Sequence, residues 1–280
     1  MNKTIVAVGV SALLLPFSPA APADEGRLSI GSGFNYSSGE YGTTATTRIR
    51  SIPLDLGYDA GAWRLNLTIP YLDVSGPPNV IPGVGAVRNT NLRTRIGSLG
   101  LPIGGPGTTA TTAATLTSGS ARGLGDVIAL ASFNVYGDAA AQFGIDVAGR
   151  IKFGTADADK GLGTGENDYG AEVDMYRKFD RVTLFGGAGY TKMGASQYIK
   201  LNNVFNANTG VSLKFDDANL AGVLFDYHQR ASDIGEARRE ATVFYNHVYA
   251  KTWKTQLYVL KGFTDGGPNW GAGVTLTYSF

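Results

Sequence analysis

The sequence predicts an all-β chain, a single up-and-down transmembrane antiparallel β-barrel of about twelve strands. Three observations predict it. Apolar and polar or small residues alternate with a period of two, short and long connections alternate between those stretches, and the N-terminus reads as an export signal.

The export signal comes first in the chain. Lys3 precedes "TIVAVGVSALLLPF", an apolar run too short for a spanning helix of about 20 residues. Small residues follow in "SPAAPADEG", so a cleaved leader covers 1–23, with cleavage after Ala23 and Ala20 as the second choice. Residues 24–280 then form one barrel domain. Without Lys3 that domain holds 23 basic and 23 acidic residues, which argues against a nucleic-acid partner. Cysteine is absent and there are only two histidines, so a disulfide framework is excluded and little remains for zinc.

Alternation places strands near 27–37, 44–58, 61–74, 123–137, 140–154, 166–178, 181–193, 206–215, 218–230, 239–250, 252–263 and 268–280. "WRLNLTIPY" sets Trp63, Leu65, Leu67, Ile69 and Tyr71 on one face against Arg64, Asn66 and Thr68. "AQFGIDVAGRIKF" sets Phe143, Ile145, Val147, Ile151 and Phe153 against Asp146, Arg150 and Lys152, so its second face cannot be a dry sandwich core. "DYGAEVDMYR" repeats the scheme, and the last strand ends on Trp270, Ala272, Val274, Leu276, Tyr278 and Phe280 at every second position. Tight links at 58–61, 137–140, 178–180, 216–218 and 250–251 alternate with longer ones at 75–122, 155–165, 194–205 and 231–238. A membrane barrel sorts its connections in this way, with short periplasmic turns on one rim and longer outer loops on the other. Trp63, Tyr71, Tyr136, Tyr169, Tyr190, Tyr245, Trp253, Trp270 and Tyr278 fall near strand ends, as an aromatic girdle requires. The 75–122 loop is too long for a plain connection. Its first half carries Val80, Ile81, Val84, Arg88, Arg93 and Arg95, and either folds into the barrel mouth or lies on the surface. Gly104–Ser120 is Thr/Ala/Gly low complexity.

Three stretches resemble a known family. "GLGDVIALASF" (Gly123–Phe133), "RIKFGTADADKGLGTGENDYG" (Arg150–Gly170) and "KGFTDGGPNWGAGVTLTYSF" (Lys261–Phe280) are similar to the MetA-pathway of phenol degradation family of outer-membrane, transporter-like proteins. Where that family usually has proline after the strand-end lysine, this chain has Phe153-Gly154. The resemblance implies an outer-membrane location and passage of small hydrophobic or aromatic compounds. Tyr278 and Phe280 resemble the C-terminal signature by which such barrels are recognised for assembly.

Candidate lumen positions are Arg48, Arg50, Arg64, Asp146, Arg150, Lys152, Glu172, Asp174, Arg181, Asp226, His228 and Glu240. They line a water path or form a self-compensating ion-pair network, and the two can coexist. A hydrolase reading finds no serine placed with a histidine and an orienting third group. A calcium reading of "DADKGLGTGEND" fails at Leu162, where glycine is required, and at Asp168, where a bidentate Glu is required. The expected protein is therefore not an enzyme and carries no cofactor. It is a passive outer-membrane channel whose partners are membrane lipid, the barrel-assembly machinery and a small solute, with the oligomeric state left open. The alternatives are a diffusion porin for polar solutes and a non-transporting structural barrel.

Overall fold

A computed structural model describes residues 6–8, 12–14, 26–88, 119–138, 140 and 142–280, and all regular structure among them is β. Twelve strands form one barrel: β1 (Arg27–Gly39), β2 (Thr47–Ala60), β3 (Trp63–Gly76), β4, β5 (Phe143–Phe153), β6 (Asp168–Phe179), β7 (Val182–Lys192), β8 (Val204–Lys214), β9 (Asn219–His228), β10 (Arg238–Tyr249), β11 (Trp253–Gly262) and β12 (Trp270–Ser279). β4 is interrupted at Gly125-Asp126 and consists of Gly119–Leu124 and Val127–Asp138, both paired with β3. Every strand is antiparallel to the next, and β12 returns to β1, so no edge is left open. The unbroken strands run from 10 to 14 residues, enough to cross a hydrocarbon layer when tilted. The expected segments match these strands to within a few residues. A short ladder within the expected leader, Val6–Val8 with Ala12–Leu14, lies outside the barrel sheet. Of the long loop, 89–118 is outside the described residues, and so is most of the low-complexity half.

The two faces of each strand have different solvents. On β2, Thr47, Ile49, Ser51, Pro53 and Asp55 are buried in the lumen, while Ile52, Leu54, Leu56 and Tyr58 are exposed on the outer wall. The same partition puts Phe225, Val243, Leu257, Val259 and Leu276 outside. This continuous apolar wall is costly in water and favourable against lipid. Aromatic pairs brace its short-turn rim: Trp63 with Phe133 at 4.7 Å, Trp253 with Tyr278 at 4.9 Å and Tyr278 with Phe280 at 5.0 Å between ring centroids.

Inside, toward the short-turn side, bulky rings lie on glycines of the neighbouring strand. Tyr176 faces Gly144, Phe185 faces Gly210, Phe244 faces Gly222 and Tyr258 faces Gly273, each a direct cross-strand pair. None of these glycines has room for a Cβ beside its ring. The absent side chain lets the ring lie flat on the wall. Leu224, Phe244, Tyr258 and Leu260, with Phe185 and Leu220, form an apolar cluster there and give the lumen a floor.

The lipid-facing assignment predicts a depth-dependent penalty. Val243→Arg, at mid-strand on the outer wall, is expected to lower the unfolding free energy in bilayer vesicles by about 2–4 kcal/mol, while Arg48→Ser near the rim changes it by about 1 kcal/mol or less. Urea titration in the same vesicles measures both, and equal effects would remove the lipid from the account.

Candidate solute chamber and channel mouth

Above the floor lies a chamber of about 190 Å³. Its walls are mixed. Leu72, Ile128, Leu130, Val204 and Leu224 supply apolar surface, and Asn66, Thr68, Arg150, Glu172, Asn208 and Asp226 supply polar groups. Its roof is made by outer loops. Pro82, Gly83 and Val84 come down from the start of the long loop, and Leu162 enters from the 154–167 loop.

The roof is an apolar layer. Tyr41, Ile49, Leu72, Val74, Val80 and Leu162 pack as one buried cluster, and Ile81, Val87 and Ile199 pack with Val84 and Leu201 as another. Gly83 and Gly85 take positive φ of 78° and 91°, the conformations a glycine adopts without Cβ strain, which lets Val80–Ile81 fold back on Gly85–Ala86. Ala86 N–H donates to the Tyr41 carbonyl at 3.1 Å, and Ser232 Oγ donates to the Ala86 carbonyl. The Tyr41 hydroxyl lies 2.8 Å from Ser37 Oγ, and burial pushes its pKa up. Of the two arrangements the sequence left open for the first part of this loop, residues 77–88 adopt the inward one.

A single cation ties roof to wall. Lys152 Nζ, on β5, is 3.1 Å from Asp126 Oδ2 and 2.9 Å from Asp168 Oδ2, and donates to Thr164 Oγ1 at 3.0 Å. Asp126 sits at the break in β4 and accepts the Ala156 N–H at 3.0 Å; Asp168 opens β6 and accepts the Gly194 N–H at 2.8 Å. Lys152 therefore joins three strands and two outer loops. Outside this hub, Asp157 is paired with Lys160 at 2.9 Å in the loop, which draws its carboxyl below the usual range.

Elsewhere in the lumen charged and polar groups are paired, Arg64 and Asp146 near the short turns and the others nearer the outer loops. Arg64 is bonded to Asp146, which also accepts from Asn134 Nδ2 at 2.6 Å. Asp146 and Asp174 are direct cross-strand partners, so Arg64 offsets one of two facing carboxylates. Asn208 Nδ2 donates to Glu172 Oε1 at 3.1 Å, His228 Nε2 lies 2.7 Å from Asp226 Oδ1, and Arg238 Nε lies 3.4 Å from Glu240 Oε1. Low local dielectric makes such pairs strong once formed and their separation costly.

The structure places nine of the sequence-derived lumen candidates on the inner face: Arg64, Asp146, Arg150, Lys152, Glu172, Asp174, Asp226, His228 and Glu240. Arg150, Lys152, Glu172, Asp226 and His228 line the chamber itself. Three candidates are elsewhere. Arg48 and Arg50 share the parity of Ile52, Leu54 and Leu56 and stand on the outer wall, and Arg181 is exposed in the turn before β7. The sequence-derived set omits Asp55, Asp168, Arg238 and Lys254, all buried, and the half-buried Asp126. The parity of Arg238 with Glu240, and of Asp168 with Glu172 and Asp174, could have revealed both; Asp126 sits at the break in β4, where period-two reasoning has no purchase. The catalytic alternative finds no support in Ser232, whose hydroxyl is held by a loop carbonyl, or in His247, whose Nδ1 contacts Asn219 Oδ1 at 2.7 Å. No group of three metal-ligating side chains occurs among the described residues.

The chain is similar to an outer membrane channel (COG4313) from Pseudomonas putida F1, with a TM-score of 0.65 at 13% identity, over 95% of this chain and 99% of that one. It is similar to the NanC porin at 0.52 and 10% identity over 90% and 98%, and to the β domain of the Bordetella autotransporter BrkA at 0.50 and 14% identity over 91% and 100%. No family model matches the chain, and no curated protein is similar to it in sequence. At these identities the likeness defines the fold, that of bacterial outer-membrane β-barrels, and this fold serves porins and autotransporters alike.

Lys152→Met leaves Asp126 and Asp168 buried without their cation. It is expected to cost about 3–5 kcal/mol in urea unfolding and to expose the 154–167 loop to protease. Adding Asp126→Asn and Asp168→Asn should recover most of that loss.

Proposed function

We propose that this protein is an outer-membrane channel for passive uptake of small hydrophobic or aromatic compounds, held briefly in the chamber on their way through. The observation that carries the reading is the chamber's position between two apolar constrictions. Val84 and Leu162 form the upper one, and Leu224 with the ring–glycine layer forms the lower one. A solute with an apolar body loses little on passing either layer, whereas a hydrated ion must shed water at both. The paired charges between them give a small polar substituent something to bond without presenting a net field that selects one sign. The similarity to the channel from Pseudomonas putida F1 is compatible with this role, as is the resemblance of Gly123–Phe133, Arg150–Gly170 and Lys261–Phe280 to the MetA-pathway family. Export by residues 1–23 and reading of Tyr278 and Phe280 by barrel-assembly machinery belong to the same proposal.

The test is planar-bilayer conductance of the refolded protein. Small, infrequent steps that are reduced further by an added monocyclic aromatic are expected. Replacing Phe244 and Tyr258 by alanine removes two floor rings and should raise the conductance severalfold while weakening the block. Large stable steps insensitive to aromatics would favour a polar-solute porin instead. No steps and no uptake of a labelled aromatic into vesicles would leave a structural barrel.

A further inference from the structure

The outer wall carries an unexpected feature at the long-loop rim. Arg50 on β2, Asp73 on β3 and Arg122 on the first part of β4 are successive cross-strand partners, and all three face outward. Arg50 Nη1 and Arg122 Nε share one carboxylate oxygen, Asp73 Oδ2, at 3.6 and 3.7 Å. Neither contact is close, and the arginine side chains stay 49% and 69% exposed. Arg48 stands two residues above Arg50 on the same face, flanked across the strands by Ser38 and Ser75. Three arginines and one carboxylate thus share two rows of the sheet, where neighbouring positions are roughly 5 Å apart, and two of the arginines reach the carboxylate. Immediately toward the membrane, the next outward positions are Ile52, Tyr71 and Leu124, all exposed and apolar.

We propose that this patch binds the phosphate of an anionic, multiply acylated lipid of the outer leaflet, with the acyl chains lying on the ledge formed by Ile52, Tyr71 and Leu124. Charge complementarity selects an anion, and guanidinium forks suit phosphate oxygens better than any other side chain does. The apolar ledge directly beneath selects an anion that carries hydrocarbon; a free phosphate has no use for it. The level is also right. An arginine on the lipid face is costly at the midplane and nearly free at the interface, so this cluster marks where hydrocarbon gives way to headgroups. Asp73 bridges Arg50 and Arg122 and offsets only one of the three positive charges, so the patch keeps an excess of positive charge. The proposal depends on the barrel lying in a membrane with its long loops outward, and not on what passes through the lumen.

The experiment measures lipid retained by the full chain refolded in detergent, by native mass spectrometry. The probes are bis-phosphorylated lipid A and the same lipid with its phosphates removed. The wild type should retain the phosphorylated form, and the dephosphorylated form should bind roughly tenfold more weakly or worse, since charge-assisted bonds are lost. A triple variant, Arg48→Ser with Arg50→Ser and Arg122→Ser, should lose retention to a similar degree while keeping the gel shift on boiling that marks a folded barrel. Asp73→Asn removes only the competing carboxylate and should tighten retention severalfold, which tests the site without deleting any arginine. Equal binding of both lipids, undiminished retention by the triple variant, or no gain from Asp73→Asn would each overturn the proposal. Complete displacement by excess inorganic phosphate would overturn the lipid assignment and leave a small-anion site.

Discussion

Everything in this molecule follows from a requirement on its backbone. A chain crossing hydrocarbon has no water to satisfy its N–H and C=O groups, so each must find a partner within the sheet. The sheet meets that requirement by closing: β12 pairs with β1 from Trp270 opposite Ser38 to Ser279 opposite Ser29, and no edge remains. Closure in turn forces each strand to divide its side chains between two solvents. One set meets lipid and is Leu, Val, Phe and Ile; the other meets the lumen and can be anything that finds a partner there. The sorting of connections into short turns and long loops is the same constraint seen at the rims.

A closed interior must then be filled or wetted, and this chain fills much of it in two chemically different ways. Toward the short turns, flat rings rest on glycines, so the lumen is narrowed without pushing the strands apart. The ring supplies apolar contact to both strands, and the missing Cβ supplies the space. Elsewhere polar groups fill space by pairing: Arg64 with Asp146 near the short turns, and, nearer the outer loops, Lys152 with Asp126 and Asp168 and the His228 ring with the Asp226 carboxylate. Neither device is interchangeable with the other. Rings could not sit among unpaired carboxylates without desolvating them, and charges could not occupy the ring layer without partners in reach.

The architecture was legible because a period of two survives every local accident. Twelve alternating stretches, with connections sorted by length, carry the barrel even where β4 is broken at Gly125-Asp126. The lumen set was legible at mid-strand for the same reason, as Asp146, Arg150 and Glu172 show. It failed at the rims, where "charged" and "inward" are no longer synonyms. Arg48 and Arg50 have the parity of Leu54 and Leu56, and strict counting along β2 assigns them outward; the expectation that charge points to water overrode the count. Above the hydrocarbon both faces meet polar surroundings, so residue type stops reporting direction and only parity remains. Asp126 and the roof residues were illegible for another reason. Their positions depend on contacts between residues distant in sequence, such as Ala156 N–H to Asp126 and Ser232 Oγ to Ala86, which no local pattern encodes.

Those long-range contacts also decide which part of the mouth can move. The "GLGD" stretch supplies Asp126, and the stretch from Arg150 to Gly170 supplies Lys152, Thr164 and Asp168, so motifs distant in sequence share one buried hub. Pulling that hub apart strands a buried ammonium and two carboxylates, a cost of several kcal/mol. The 77–88 segment is held differently, by apolar packing of Val80, Ile81 and Val87 and by bonds from Ala86 to Tyr41 and Ser232. That packing is non-directional and holds no buried charge, and neutral hydrogen bonds such as these two are each worth only about 1 kcal/mol net. On the channel role proposed above, the lysine-anchored loop is therefore the fixed side of the mouth, and the turn at Pro82-Gly83-Val84, where Gly83 is exposed, is the side expected to give way to a solute.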